Sequence, residues 1–378
     1  MIRVLEVIRQ GEIGGGESHV IDLVTNLDTS EVTPVVLAMS DGPMIRRLGA
    51  EGIRCIVIPS AHAFDPSIVR NITQVVRDER IDIIHAHGSR AASNMLLVAK
   101  WMGKPLIYTV HGWSFHTGQN PLIHRLRALG EKLICRCADR VICVSESNAQ
   151  TGRDTFRLRH ATVIENGVNT LRFSPTAVES DLRESLRIAP DAIVVSFIAR
   201  MTMQKAPLLY LEGLRLAHEA NQRITGLMVG SGDMDAQVAA YIEQEGMESY
   251  VVRQPLRTDV PELLATTDIY CMPSHWEGLS IALLEAMAMQ RPVVVTPTDG
   301  TREVIRDAEN GTIVPFNDAL ALSEALLDLA DGEQARADMG RQARATVLAR
   351  FNAKHVSDEV TEIYKKLRDE RIQLRGEN

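Results

Sequence analysis

Apolar residues come in short runs along the chain, and polar segments with helical spacing fill the gaps between them. "IRVLEVI", "VTPVVLAM", "CIVIPS", "IDIIHAHG", "PLIYTVHG", "DRVICVS" and "TVIENGV" read as strands. Most are continuous apolar runs, the pattern of parallel strands covered on both faces. Segments such as "ESHVIDLVTNL" and "AASNMLLVAKWM" lie between them and read as helices. The pattern restarts with "AIVVSFIAR", "ITGLMVGSG", "SYVVRQP", "DIYCMPS", "RPVVVTP" and "GTIVPF". Repeated strand–helix units predict parallel sheets with right-handed crossovers. So many strands exceed one ordinary open sheet, and the reading is α/β with two doubly wound domains. The break falls in the Gly-, Asn- and Pro-bearing stretch "NGVNTLRFSPTAVES". A first domain over 1–170 and a second over 171–351 follow, and the chain from about Asp318 reads as helical to its end.

The 378 residues suffice for two cores, and 45% hydrophobic with 24% charged residues describes a soluble globular protein. The start lacks a basic segment leading into an apolar run, and no stretch reaches the roughly 18 apolar residues of a membrane span. A cytoplasmic protein is expected. Cys55, Cys135, Cys137, Cys143 and Cys271 match no zinc spacing and are expected as buried thiols. The net charge of −8 is uneven: residues 1–170 carry 19 Lys and Arg against 17 Asp and Glu, the remainder 22 against 32. Neither part is basic or aromatic enough for nucleic acid.

Ligands of open α/β sheets bind beyond the carboxyl ends of the strands. After the first strand comes "GEIGGGES", a Gly-rich turn entering a helix. It suits close approach to a phosphate or sugar, or it is a tight turn. His19 stands where the third Gly of a dinucleotide fingerprint belongs. His85, His87, His111 and His116 follow the fourth and fifth strands. They are weighed as metal ligands, but no acidic residue completes the set, and no metal is expected. His85 and His87 alternate on one strand and can simply be packed; His111, at a strand end before Gly, is placed to reach a ligand. Arg200 and Lys205, at the end of the eighth strand, form a cation pair suited to a diphosphate. Asp233 and Asp235 resemble a DxD metal clamp, but Asp at a helix start is more often a cap.

The richest segment is "SHWEGLSIALLEAMAMQRPVVV". Glu285 sits among apolar residues of a helix, and Glu277 precedes that helix. Eight residues of helix span about 12 Å, too far for the roughly 5–5.5 Å carboxylate pair of a retaining glycosidase. Two separated carboxylates can instead hold the hydroxyls at the two ends of a nucleotide sugar. Its diphosphate would face the helix N-terminus near Leu279 to Ile281.

With these residues in view, the chain resembles the family-4 retaining glycosyltransferases of the GT-B fold. "PSHWEGLSIALLEAMAMQRPVVVT" is similar to that family's E-x7-E segment, and "VHGWSF", "VICVSES", "IENGVN" and "ARMTMQK" fall in the expected order. The resemblance implies two Rossmann-like domains facing a cleft, acceptor on the first and donor on the second. It also implies a C-terminal helix over about 352–378 that returns to the first domain. It would make Glu277 a ligand of donor-sugar hydroxyls and Glu285 of the ribose. Arg200 and Lys205 would stabilise the leaving diphosphate, and His111 would lie by the donor sugar. Gly15 and Gly16 would let the first loop approach a substrate, and Gly278, Leu279 and Ser280 would line the donor. Glu17, Ser89 and Arg90 are the acceptor-side candidates.

The family pattern is broken at Asn169, where Asp is common, at Ala206, where Gly is usual, and at Asp299, in place of a Gly. "VVRQPL" also lacks a Gly often found in the base-binding loop. The expected activity is metal-independent, cofactor-free transfer of a hexosyl or N-acetylhexosaminyl group. The donor would be a nucleotide-diphosphate sugar, UDP by preference. The acceptor would be a glycan or lipid-linked molecule, in cell-surface polysaccharide or glycolipid synthesis. The rivals are a nucleotide-sugar epimerase on the same scaffold and a non-catalytic nucleotide-sugar-binding partner. "HRLRALGEKLICRCADR" sets Arg125, Arg127, Lys132, Arg136 and Arg140 among apolar residues. It is read either as a peripheral contact with an anionic membrane, at the inner face of the cell membrane, or as an ordinary surface helix.

Overall fold

The computed structural model describes residues 1–12, 14–115, 118–178 and 182–376, with side chains to 373. It divides into two compact units, Met1–Gly167 with Ala353–Asn378, and Val168–Asn352.

The first unit carries β1 (Ile2–Ile8), β2 (Val32–Ala38), β3 (Arg54–Val57), β4 (Ile83–His87), β5 (Leu106–Val110), β6 (Arg140–Cys143) and β7 (Thr162–Val163). They pair in the order β3-β2-β1-β4-β5-β6-β7, every ladder parallel. The helices are α1 (Gly15–Asn26), α2 (Pro43–Ala50), α3 (Val69–Asp78), α4 (Ser89–Met102), α5 (Pro121–Cys137) and α6 (Glu146–Phe156). The second unit repeats the plan with β8 (Ile193–Ile198), β9 (Ile224–Val229), β10 (Val251–Gln254), β11 (Ile269–Met272), β12 (Val293–Val295) and β13 (Thr312–Ile313). Their order is β10-β9-β8-β11-β12-β13, again parallel. Its helices are α7 (Pro207–Ala220), α8 (Asp235–Gln244), α9 (Val260–Thr266), α10 (Ile281–Ala288), α11 (Asp299–Val304), α12 (Ala319–Asp331) and α13 (Glu333–Arg350). The chain then returns to the first unit as α14 (Ala353–Gly376). Each apolar run named in the sequence is a strand. The predicted fold class, two doubly wound parallel sheets, is the observed one.

Strand alternation divides the first unit's core into two layers. On β1, Leu5 and Val7 face one layer, which α3 and α4 cover. Ile2 and Val4 face the other, where Val356, Val360, Ile363, Tyr364 and Leu367 of α14 pack. These α14 residues follow the i, i+4, i+7 spacing of a buried helix face. Burying each large apolar side chain contributes about 1.5–3 kcal/mol as an upper bound, which ties the returning helix to β1.

Two local expectations change. The buried-thiol reading of the cysteines holds for Cys143 and Cys271 only; Cys55 and Cys135 are half-buried and Cys137 is exposed on the last turn of α5. The helix of the E-x7-E segment begins only at Ile281, behind the N-cap Ser280, whose hydroxyl accepts from the Leu283 N–H. Half of the Glu277–Glu285 interval is therefore turn, and the 12 Å helical span does not apply.

Candidate active site

In the second unit, polar side chains converge at the carboxyl ends of β8 and β11. The chain leaves β8 through Arg200, which is exposed, and makes a 3-10 turn over Met203–Lys205. Ala206 follows at φ 51°, a left-handed backbone that favours Gly, which is why Gly is usual there. Two hydrogen bonds join this turn to the loop after β11. The His275 N–H donates to the Gln204 carbonyl (2.8 Å), and Gln204 Nε2 donates to the Trp276 carbonyl (3.0 Å). That stitching brings Lys205 into an ion pair with Glu277. Both side chains are mostly buried, at 12% and 10% exposed.

The loop runs on through Gly278, Leu279 and Ser280 into α10, where Glu285 is buried. A Cβ at Gly300 would collide with the Gly278 carbonyl, so this Gly is required for α11 to close on the loop. Asp299, beside it, is exposed and needs no such freedom. Similarly, a side chain at Gly230 would strike the Ala199 carbonyl, which explains the Gly-rich end of β9. Asp235 accepts from the Gly232 N–H (3.0 Å) and faces Arg253 at 3.5 Å. It sits in the first turn of α8, as the capping reading requires, although Met234 occupies the N-cap itself. Asn169 accepts from the Leu171 and Arg172 N–H groups (3.1 and 3.0 Å). Its amide oxygen makes the turn that a carboxylate would make, so this departure is structurally mild.

The first unit gathers a second polar group. The parallel register sets Glu6 beside His85 and His87 beside Thr109. Alternation puts all four on the α14 side of the sheet. Glu6 and His85 are fully buried and His87 is 2% exposed. His87 Nε2 lies 2.9 Å from Glu6 Oε2. The Tyr364 hydroxyl donates to Glu6 Oε1 (2.7 Å), and His85 Nδ1 contacts that hydroxyl at 2.6 Å. His87 Nδ1 faces His111 Nε2 at 3.2 Å, and the His19 ring stands edge-on to His111 at 4.7 Å.

Burial alone would raise the Glu6 carboxyl, but His85 and His87 outweigh it and hold it well below the usual carboxylate range. Burial pushes His19 down to about 3 and His87 to about 4, and His111 well below its ordinary value. Ligand atoms of His19, His87 and His111, and of Glu6, His85 and His87, converge closely enough to hold a cation. Glu6, His85, His87 and His111 already pair with one another, whereas His19 meets His87 and His111 ring to ring. His116 lies outside the described residues.

Of the remaining predicted positions, Gly16 lies against the His111 ring, which an added Cβ would meet at 3.7 Å, while at Gly15 it would meet nothing. Glu17 is buried in the first turn of α1. Ser89 is held by Glu131 and Tyr108, and Arg90 is half-buried. Sequence reasoning overlooked Glu6, Tyr364 and Glu131. Glu131, on the helix α5, is 1% exposed and accepts from Ser89, Tyr108 and the Ser114 N–H.

Two family models match. Residues 13–172 fit the one described as Glycosyltransferase Family 4, and residues 178–346 the one described as Glycosyl transferases group 1. Among curated proteins, the chain is 24% identical over 320 residues to the UDP-Gal:alpha-D-GlcNAc-diphosphoundecaprenol alpha-1,3-galactosyltransferase of Escherichia coli, covering 80% of this chain and 82% of the relative. It is 28% identical over 314 residues to the N,N'-diacetylbacillosaminyl-diphospho-undecaprenol alpha-1,3-N-acetylgalactosaminyltransferase of Campylobacter jejuni, covering 79% and 82%. The fold matches that of Anabaena HepE, solved with UDP and glucose, at a TM-score of 0.86 and 21% identity over 97% of this chain and 100% of that one. The chain is a glycosyltransferase and belongs to family 4, with the GT-B fold.

Proposed function

We propose that the protein is a retaining, metal-independent glycosyltransferase. It moves a hexosyl or N-acetylhexosaminyl group from a UDP-sugar to a lipid-linked or glycan acceptor in cell-surface polysaccharide or glycolipid synthesis. The observation that carries this reading is the Lys205–Glu277 pair, held by the stitched loops after β8 and β11, with Arg200 at the end of β8. In this account the second unit binds the donor. Lys205 and Arg200 take the diphosphate, together with the free N–H groups at the start of α10. Glu277 exchanges part of its pairing with Lys205 for sugar hydroxyls, and Glu285 accepts from the ribose. The bond from C1 to the phosphate oxygen breaks, and a bond to the acceptor oxygen forms on the same face. The acceptor proton passes to the departing phosphate. Cations fixed where charge develops lower the barrier without a metal. The first unit binds the acceptor, with Glu17, Ser89 and Arg90 as its candidates there.

The two undecaprenol-linked relatives support a lipid-linked acceptor. So does α5: Leu122, Leu126, Leu129 and Leu133, one stripe of the helix, are each at least half exposed. Glu131 anchors the opposite face. Arg125, Lys132 and Arg136 flank the stripe on one side, a pattern suited to the surface of an anionic bilayer. No helix among the described residues is long and apolar enough to cross a membrane. In this reading the contact is peripheral, at the cytoplasmic face.

The test is product analysis with UDP-sugars and a polyprenyl-diphosphate-linked sugar. An α-linked product from an α-linked donor, unaffected by chelator, is expected. A β-linked product would overturn the retaining mechanism, and donor epimerisation without transfer would overturn the activity.

A further inference from the structure

Glu6 lies in the middle of the apolar strand β1 and has no direct place in the transfer proposed above. Tyr364, His87 and His85 surround its carboxylate, His85 Nδ1 standing 3.2 Å from Oε2 and 2.6 Å from the Tyr364 oxygen. An ionised carboxylate only accepts, so the Tyr364 hydroxyl gives its proton to Oε1, and His87 gives its Nε2 proton to Oε2. A neutral His87 then has a bare Nδ1, which can only accept from His111 Nε2–H at 3.2 Å. That leaves His111 Nδ1 bare as well. This atom is buried and has no partner among the described residues, an arrangement that is costly unless something fills it. The His19 ring stands edge-on to the same imidazole, and a side chain at Gly16 would come into contact with it.

We propose that Glu6, His87 and Tyr364 are positioning residues that lock His111 in its Nε2–H tautomer, so that its bare Nδ1 accepts a hydrogen bond from a hydroxyl of the bound sugar. The proposal deepens the functional reading and rests on it for the identity of the ligand. Burial keeps His87 and His111 neutral near pH 7, which one-way donation along the relay requires. Tyr364 brings the returning helix α14 into the same network, fixing the far side of Glu6.

Glu6→Gln tests it. The amide fills the same space but can donate to His87, which reverses both tautomers while leaving the geometry intact. The same logic makes a carboxylate-to-amide change damaging in the serine-protease triad. Side-chain 15N NMR of the wild type should show bare Nδ1 on both His87 and His111, and Glu6→Gln should invert or mix them. Transfer kcat/KM should fall about 10–100-fold, the size expected for an unpaired buried acceptor, with UDP affinity unchanged. In a His111→Ala background Glu6→Gln should cost nothing further. Tyr364→Phe should give a smaller loss of the same kind.

An Nδ1–H tautomer on wild-type His111 overturns the relay, and that measurement stands whether or not Glu6→Gln folds. So do additive losses in the double variant, or stoichiometric zinc in the purified protein whose removal changes the imidazole signals. If His111→Ala and Lys205→Ala both leave transfer untouched, the functional reading fails instead, and the tautomer result remains a statement about the fold.

Discussion

In the first unit, each oxygen of the Glu6 carboxylate has a protein partner, and among the described residues the network leaves His111 Nδ1 buried without one. In the second unit, Glu277 has one ion-pair partner among the described residues, Lys205, on a turn joined to its own loop by two hydrogen bonds. The comparison separates two uses of charge. A buried group with every valence met by the chain fixes geometry. A pair with valences to spare, at the end of a strand, is available to a ligand. The charge balance of the two parts of the sequence follows the same division, nearly neutral in the first and acidic in the second.

Breaking each kind of group should give opposite signatures. The largest effect is expected at Lys205: Lys205→Ala should lower transfer kcat/KM by roughly 100–1000-fold, the range for removing one fixed stabiliser of leaving-group charge, with a stability loss smaller than that of Glu131→Ala. A large loss of stability at unchanged kcat/KM would erase the distinction. Glu131→Ala is the mirror experiment. It strands Ser89, Tyr108 and the Ser114 N–H, and denaturant unfolding should show a loss of about 2–4 kcal/mol. Glu277→Ala removes a single pairing, that to the mostly buried Lys205, so its loss should be smaller than that of Glu131→Ala.

Acid sharpens the contrast further. His19 and His87 are held at about 3 and 4 in the fold against 6.5 when unfolded, so the unfolded chain binds more protons as pH falls below about 6.5. Stability should therefore drop from pH 6.5 toward pH 4, each histidine contributing at most about 1.4 kcal/mol per pH unit. The depressed Glu6 carboxyl adds stability above its unfolded value that is lost at still lower pH, in the same direction. His87→Gln should flatten the slope, and an unchanged slope would contradict the buried-neutral assignment. The smallest stability effect belongs to α5: Leu126→Ser with Leu129→Ser should shift stability by under about 0.5 kcal/mol. It should still release the protein from vesicles rich in anionic lipid; unchanged co-sedimentation would remove the membrane contact.

Much of this was legible in the sequence, and the exceptions have physical causes. Continuous apolar runs gave both sheets because parallel strands buried on two faces leave no other pattern. The stretch around Asn169 marked the end of the first sheet. Glu277, Glu285, Arg200 and Lys205 stood out because ligand groups follow strand ends. Glu6 was overlooked although it is as anomalous in "VLEVI" as Glu285 is in "IALLEAM". Its meaning lies in the pairing of β1 with β4 and in a tyrosine 358 positions away, and neither is a local property. Glu131 failed for a related reason. On α5 charged residues surround the helix, and only tertiary packing decides which acid turns inward. The helix start at Ile281 falls where the sequence placed it, near Leu279 to Ile281, but the span of about 12 Å was misjudged because residues 277–280 are turn, ending in the Ser280 cap.

The central claim is that the second unit grips a nucleotide diphosphate through Lys205, with Glu285 on the ribose. Calorimetric titration of UDP, GDP and ADP into the wild type, Lys205→Ala and Glu285→Ala tests it most directly. The account predicts that UDP binds best and that each substitution weakens it about tenfold or more, with folding unchanged. Equal UDP affinity in all three proteins, or no nucleotide binding by folded wild type, would contradict it.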